Sequence, residues 1–172
     1  MDYRFAAIDF ETADYGRDSA CALSVIIVDG TQIEEKHSYL IRPPRKQFTF
    51  TNIHGITWED VENKSSFPDL WPTIQTHFEN ISFIAAHNAP FDRSVLKKCC
   101  LVHSIQVPQI PFLCSMKLVR GALNLYPTNL PHVCSRFGIT LKHHDAESDA
   151  LACAKIIISC VQQGIILKPF IG

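Results

Sequence analysis

Apolar residues run from Phe5 to Phe10, interrupted only by Asp9, and the run closes on Glu11, the pattern of a buried strand that ends in acids. A second apolar run, Ala20 to Val28, leads into Asp29-Gly30, a hairpin turn signal. Ile33 to Ile41 mixes apolar and polar residues as a third strand does, and Arg42-Pro43-Pro44 ends it because proline cannot continue a ladder. Residues 43–56 read as a loop. Thr57, with Asp60 three positions on, gives a weak capping-box pattern, and Ser66 with Pro68 opens a helix that runs to about Phe78. Ile81 to Ala86 is a short buried strand, and Asp92 to about Cys100 a helix with Val95 and Leu96 inward. A short strand at Phe112 to Cys114 precedes a helix to about Leu123, and Thr128 to Phe137 reads as a helix stopped by Gly138. The last helix starts near Asp145 or Ala146, stops at Gly164, and spaces Leu151, Ala154, Ile157, Ile158 and Val161 along one buried face. Three strands, then helices alternating with two more strands, predict one α/β domain over residues 1–172 with a mixed five-stranded sheet flanked by helices.

Composition narrows the function. Lys plus Arg is 16 against 17 for Asp plus Glu, a net charge of −1, which disfavours a protein that wraps long polyanions by charge alone. A site for one nucleic-acid end stays open, because bound cations can supply positive charge there. The seven cysteines form no C-x-x-C pair, so they read as reduced, packed thiols of a cytoplasmic protein. Neither a secretory leader nor a membrane span is read from the sequence. Glycine-rich nucleotide-binding motifs are missing, so no nucleotide cofactor is expected.

The chemistry gathers where acids meet element ends. Asp9 and Glu11, two apart on a strand, point to one face and repel each other unless a cation or solvent intervenes. In Ala85-Ala86-His87-Asn88-Ala89-Pro90-Phe91-Asp92 an apolar strand runs out into a helix start, a place where α/β sheets collect ligands. In His143-His144-Asp145-Ala146-Glu147-Ser148-Asp149, Asp149 lies one turn inside the last helix and His144 lies in the loop before it. Each piece alone also fits a solvated strand end or a helix cap. Four carboxylates on three segments suit hard divalent ions, and a histidine that is not needed as a ligand suits a general base near neutral pH. Two such ions roughly 3.5–4 Å apart clamp the attacking and leaving oxygens at phosphorus.

On these residues the chain resembles the DEDDh class of 3′→5′ exonucleases, which includes the proofreading epsilon subunit of bacterial DNA polymerase III and the oligoribonucleases. Asp9-Phe10-Glu11-Thr12-Ala13, His87 to Asp92 and His144 to Asp149 match its three motifs, and His54-Gly55-Ile56-Thr57 a further segment, over about residues 4–162. The resemblance implies a ribonuclease-H-like exonuclease fold. It implies that Asp9, Glu11, Asp92 and Asp149 hold two Mg²⁺ or Mn²⁺ ions and that His144 activates water. It also implies that Phe10, Thr12, Asn88 and Phe91, with His54 less directly, hold the terminal nucleotide. The expected activity is release of nucleoside 5′-monophosphates from single-stranded 3′ ends, DNA favoured, in proofreading or repair. An RNA-directed or oligoribonuclease-like enzyme and an inactive nucleic-acid- or partner-binding module stay open, as does a polymerase or self-association partner. Glu147-Ser148 departs from the usual Leu-acid pair, for which tuning rather than loss is expected. The short tail after the last helix points to a free-standing enzyme. His143 is the rival of His144 as base, and the five-residue offset to Asp149 favours His144.

Overall fold

The computed structural model describes residues 3–172. Its five strands are β1 (Arg4–Thr12), β2 (Ala20–Asp29), β3 (Gln32–Leu40), β4 (Phe83–Ala86) and β5 (Phe112–Cys114). Two single-turn helices, α1 (Thr51–His54) and α2 (Trp58–Val61), precede α3 (Phe67–Ile74), which continues as a 3₁₀ turn over Gln75–Phe78. The remaining helices are α4 (Ala89–Val102), α5 (Ser115–Leu123), α6 (Leu130–Phe137) and α7 (Ala146–Gln162). The sheet order is β3-β2-β1-β4-β5. β1 pairs antiparallel with β2 and parallel with β4, and β4 pairs parallel with β5. The carboxyl ends of β1, β4 and β5 therefore open on one edge, the place where such sheets bind ligands.

Alternation along β1 builds the two halves of the core. Phe5 and Ala7 face a cluster with Ile156 and Ile157 of α7, whereas Ala6, Ile8 and Phe10 face a cluster with Val95 and Leu96 of α4 and Trp71 of α3. The same period sends Asp9 and Glu11 toward the α7 side. A register shift between Glu11 and Thr12 marks a bulge at the end of the strand, the kind of kink that re-aims side chains beside a site.

All five strands lie where the sequence pattern puts them, within two residues at each end. The 43–56 loop, however, contains α1, closed by Gly55 in the left-handed region at φ 79°. α4 begins three residues before Asp92, because Asn88, itself left-handed at φ 71°, turns the chain and Pro90 pre-sets the first turn. α6 starts at Leu130, where the Asn129 side chain accepts from the His132 N–H. The expected capping box, Thr57 with Asp60, is formed, and Ser66, read only as a helix start, forms a second one with Asp69. All seven cysteines are free and buried. Phe67 and Trp71 stack in the core, with ring centroids 5.5 Å apart. Arg45 is tied to Asp14 and Asp18 and serves as a loop clamp. Among the described residues no helix is long and apolar enough to cross a membrane.

Candidate active site

Three elements bring the four acids together. Asp9 and Glu11 leave the end of β1, Asp92 comes from the first turn of α4, and Asp149 from the first turn of α7. Asp9, Glu11 and Asp149 each offer a carboxylate oxygen within 4.8 Å of the others. Asp92, only 1% exposed, is not part of that group or of the pocket wall; its Oδ1 accepts the Phe10 N–H at 2.9 Å, and its charge acts on Asp9 and Glu11. The Asp145 side chain caps α7 by accepting from the Ser148 N–H, which fixes where Asp149 enters.

Each acid resists ionisation. Burial, and then the charges of Asp92, Glu11 and Asp149, pushes the Asp9 carboxyl well above the carboxylate range. Burial and the neighbouring Asp149 and Asp92 raise Glu11 to about 8. Asp92 is raised mainly by burial, against the pull of the Phe10 N–H, and Asp149 is raised by burial against the nearby His143. The Asp149 Oδ1 is buried and has no hydrogen-bond partner. Four converging carboxyl groups with an orphaned oxygen are a donor set that fits hard divalent cations, which accept oxygen ligands and offset the repulsion.

The histidines carry the main surprise. The Nδ1 of His143 lies 2.9 Å from Asp149 Oδ2, whereas His144 reaches the same oxygen with its backbone N–H at 3.1 Å. His144 is left-handed at φ 65°, which turns its ring onto that of His143 with centroids 3.8 Å apart. Both imidazoles therefore stand at Asp149, and ring nitrogens of both lie within 4.8 Å of a carboxylate oxygen. Burial and the adjacent His143 lower the His144 pKa, which favours its neutral ring. Ser148, the departure in the third motif, accepts the Lys142 N–H at 2.8 Å and pins this loop to α7.

A pocket of about 280 Å³ is lined by Asp9, Phe10, Glu11, Asn88, Phe91, His144 and Asp149. His87, Leu130 and His143 complete its wall. The Asn88 side chain is exposed and caps nothing, so its amide is free. Thr12 and His54 lie outside that wall. The Nδ1 of His54 accepts the Ile56 N–H, so its Nε2 carries the proton and donates to the Thr12 carbonyl at 3.2 Å, bracing the end of β1. Phe10 also differs from expectation. Its N–H is already given to Asp92 and its ring is buried on the α4 side, which leaves its carbonyl as the free backbone group.

Other residues enter only through the fold. His87 bridges the Ser115 hydroxyl at 2.7 Å and the Thr128 carbonyl at 2.9 Å, and burial lowers its pKa to about 4, so it is a neutral brace between β4, α5 and the start of α6. The Arg17 guanidinium lies 4.3 Å from the Phe91 ring centroid and draws the Asp92 pKa down. Nothing in its local sequence marks it, because the partner is 74 positions away (Arg17 to Phe91). His37 and His77 stack on each other at 3.9 Å beside Glu35 and are not part of the acidic pocket's wall.

An exonuclease family model, that of RNase T, matches residues 6–157. The PolC-type DNA polymerase III of Thermotoga maritima is 30% identical over 165 residues, covering 94% of this chain and 12% of that protein. Exodeoxyribonuclease 10 of Escherichia coli K12 is 32% identical over 162 residues, covering 88% of this chain and 66% of that one. The chain thus spans about an eighth of the polymerases and about two thirds of exodeoxyribonuclease 10. Among solved structures, exonuclease X in complex with 5′ overhanging duplex DNA superposes with a TM-score of 0.78 at 23% identity, covering 96% of each chain. The nuclease domain of 3′hExo bound to rAMP, a DEDDh family member, superposes at 0.81 with 18% identity, covering 94% of each. The fold is that of the DEDDh nuclease domain of 3′hExo, and with the family model matched over residues 6–157 the chain belongs to that exonuclease family.

Proposed function

We propose that this chain is a divalent-metal-dependent 3′→5′ exonuclease that releases nucleoside 5′-monophosphates from single-stranded ends, with DNA the favoured substrate. The observation that supports it is the convergence of Asp9, Glu11 and Asp149 beside two imidazoles, with the buried Asp92 close enough to act on the charge of Asp9 and Glu11. The four acids would hold two Mg²⁺ or Mn²⁺ ions, which when bound supply Lewis-acid polarisation of the phosphodiester and a lowered pKa for water. The His144 imidazole takes the proton of the attacking water. The water oxygen bonds to phosphorus, and the bond from phosphorus to the 3′ oxygen of the preceding nucleotide breaks. The Asn88 amide, the Phe91 ring and the Phe10 carbonyl hold the terminal nucleotide, and His54, through the Thr12 carbonyl, keeps the end of β1 in position. Relatives are named as bound to duplex DNA with a 5′ overhang, to rAMP and to a dT13 oligonucleotide, so both sugars occur among them. Matched 3′-labelled and 5′-labelled DNA and RNA oligonucleotides, with Mg²⁺ and with Mn²⁺, test the reading. Monophosphates released in order from the 3′ end, faster from DNA, are expected; faster turnover of RNA reverses the sugar assignment, and no release at all leaves a binding module.

A second reading of the base rests on the 2.9 Å hydrogen bond of His143 to Asp149. His144→Ala should lower kcat by roughly 10²–10⁴-fold, the usual share of a general base, with the far-ultraviolet spectrum unchanged. His143→Ala should cost less than about tenfold, since it removes an orienting contact. The opposite ranking transfers the role to His143. The rate of the parent should fall as pH drops through the lowered His144 pKa, because the protonated ring accepts no proton; a flat acid limb contradicts that role.

A further inference from the structure

A groove of about 640 Å³ runs along the outer face of α4, beside β5, the start of α5 and the last residues of the chain. It begins at Ala89 and Pro90, which immediately follow Asn88 of the acidic pocket. Pro90, Arg93 and Lys97 recur at helical spacing on this face, whereas Asp92, Val95, Leu96 and Cys99 of the same helix turn inward. Lys117 of α5 stands across from them. The groove is lined by three cationic side chains and no acidic one, in a chain whose net charge is −1. Among the described residues, none of Arg93, Lys97 and Lys117 has a carboxylate within 4.0 Å, unlike Arg4, Arg45 and Lys142, which are paired. All three are exposed, and the Arg93 guanidinium lies 5.6 Å from the Phe112 ring centroid, leaving its charge to solvent.

We propose that this groove is a phosphate track that grips the single strand leading away from the acidic pocket, through Arg93, Lys97 and Lys117. The inference rests on the exonuclease reading and adds where the rest of the substrate lies. The acids of the pocket repel phosphates, so a polyanion needs cations nearby that are not neutralised by the protein itself. Arg93 and Lys97 stand about 6 Å apart along the helix axis, so they offer successive positions along one face rather than a single anion site. Contacts of this kind fix register and carry no sequence information, so DNA and RNA should be gripped alike.

The test compares the parent with the triple variant Arg93→Gln, Lys97→Gln, Lys117→Gln. Binding of a fluorescein-labelled 15-nucleotide oligothymidylate is followed by anisotropy in EDTA, which needs no turnover. Hydrolysis of the p-nitrophenyl ester of thymidine 5′-monophosphate, which has no further phosphates, is followed with Mn²⁺. The triple variant should bind the 15-mer about 10–100-fold more weakly at 0.1 M salt, and its slope of log affinity against log salt should shrink by about 2. Its kcat/KM on the ester should equal that of the parent, and Arg93→Lys alone should keep the binding. Unchanged binding and salt slope overturn the inference, and so does an equal loss on the ester, which would mean a disturbed pocket. A parent that hydrolyses neither substrate yet binds through the three cations removes the exonuclease reading and keeps the groove.

Discussion

In EDTA near pH 8, the Asp9→Asn protein should melt above the parent, while with Mn²⁺ its hydrolytic rate should fall by at least about 10³-fold. The two effects have one cause. Asp9 is pushed well above the carboxylate range by burial and by Asp92, Glu11 and Asp149. A neutral amide of the same shape removes that repulsion from the metal-free fold. The same amide removes a charge from the set that would hold the cations, whose stabilisation of developing charge is worth several kcal/mol, and 1.36 kcal/mol is a factor of ten in rate. Thermal melts followed by circular dichroism, with single-turnover assays on a labelled oligonucleotide, check both. A variant that is less stable in EDTA would show that Asp9 makes a structural contact outweighing the repulsion.

The second large effect is on the pH dependence of stability. In EDTA the parent should lose stability as pH rises from about 4 to about 8, by several kcal/mol in total. The upper limit follows Glu11, raised to about 8. Carboxyls with raised values in the folded chain keep their protons where the unfolded chain has released them. Folding therefore binds protons across this window, and rising pH favours unfolding. A saturating divalent cation should reverse the slope, because the ligands bind as carboxylates and binding releases those protons. At a free cation concentration of 100 times Kd the gain is about 2.7 kcal/mol, or roughly 5–11 °C in Tm for a chain of this size. Urea melts at stepped pH, with and without Mn²⁺, measure it. A slope that stays the same after the cation is added would separate the acids from cation binding.

Much of the fold is legible in the sequence because the strands are short apolar runs with clear stops, such as Ala20 to Val28 before Asp29-Gly30. α1 is not legible: a four-residue turn has almost no apolar period, and none of its residues is buried. The start of α4 is misplaced because Asp92 looks like a cap, whereas the turn is made by a left-handed Asn88. The acids are legible as a set, since each ends or opens an element. The histidine geometry is not. Neighbouring positions 143 and 144 have the same residue type, and only the folded loop, left-handed at His144, shows that the His143 ring hydrogen-bonds Asp149 while His144 offers that oxygen its backbone N–H.

The sequence by itself determined the α/β order, the four carboxyl groups and their offsets, because period, turn chemistry and spacing are local properties of the chain. Tertiary structure alone decided that His54 and His87 brace the pocket, that Arg17 covers Phe91, and that one face of α4 gathers Arg93 and Lys97 with Lys117 of another helix. Those relations join residues far apart along the chain, and whether two side chains meet across such distances is set by packing of the sheet and its helices, to which local pattern is blind.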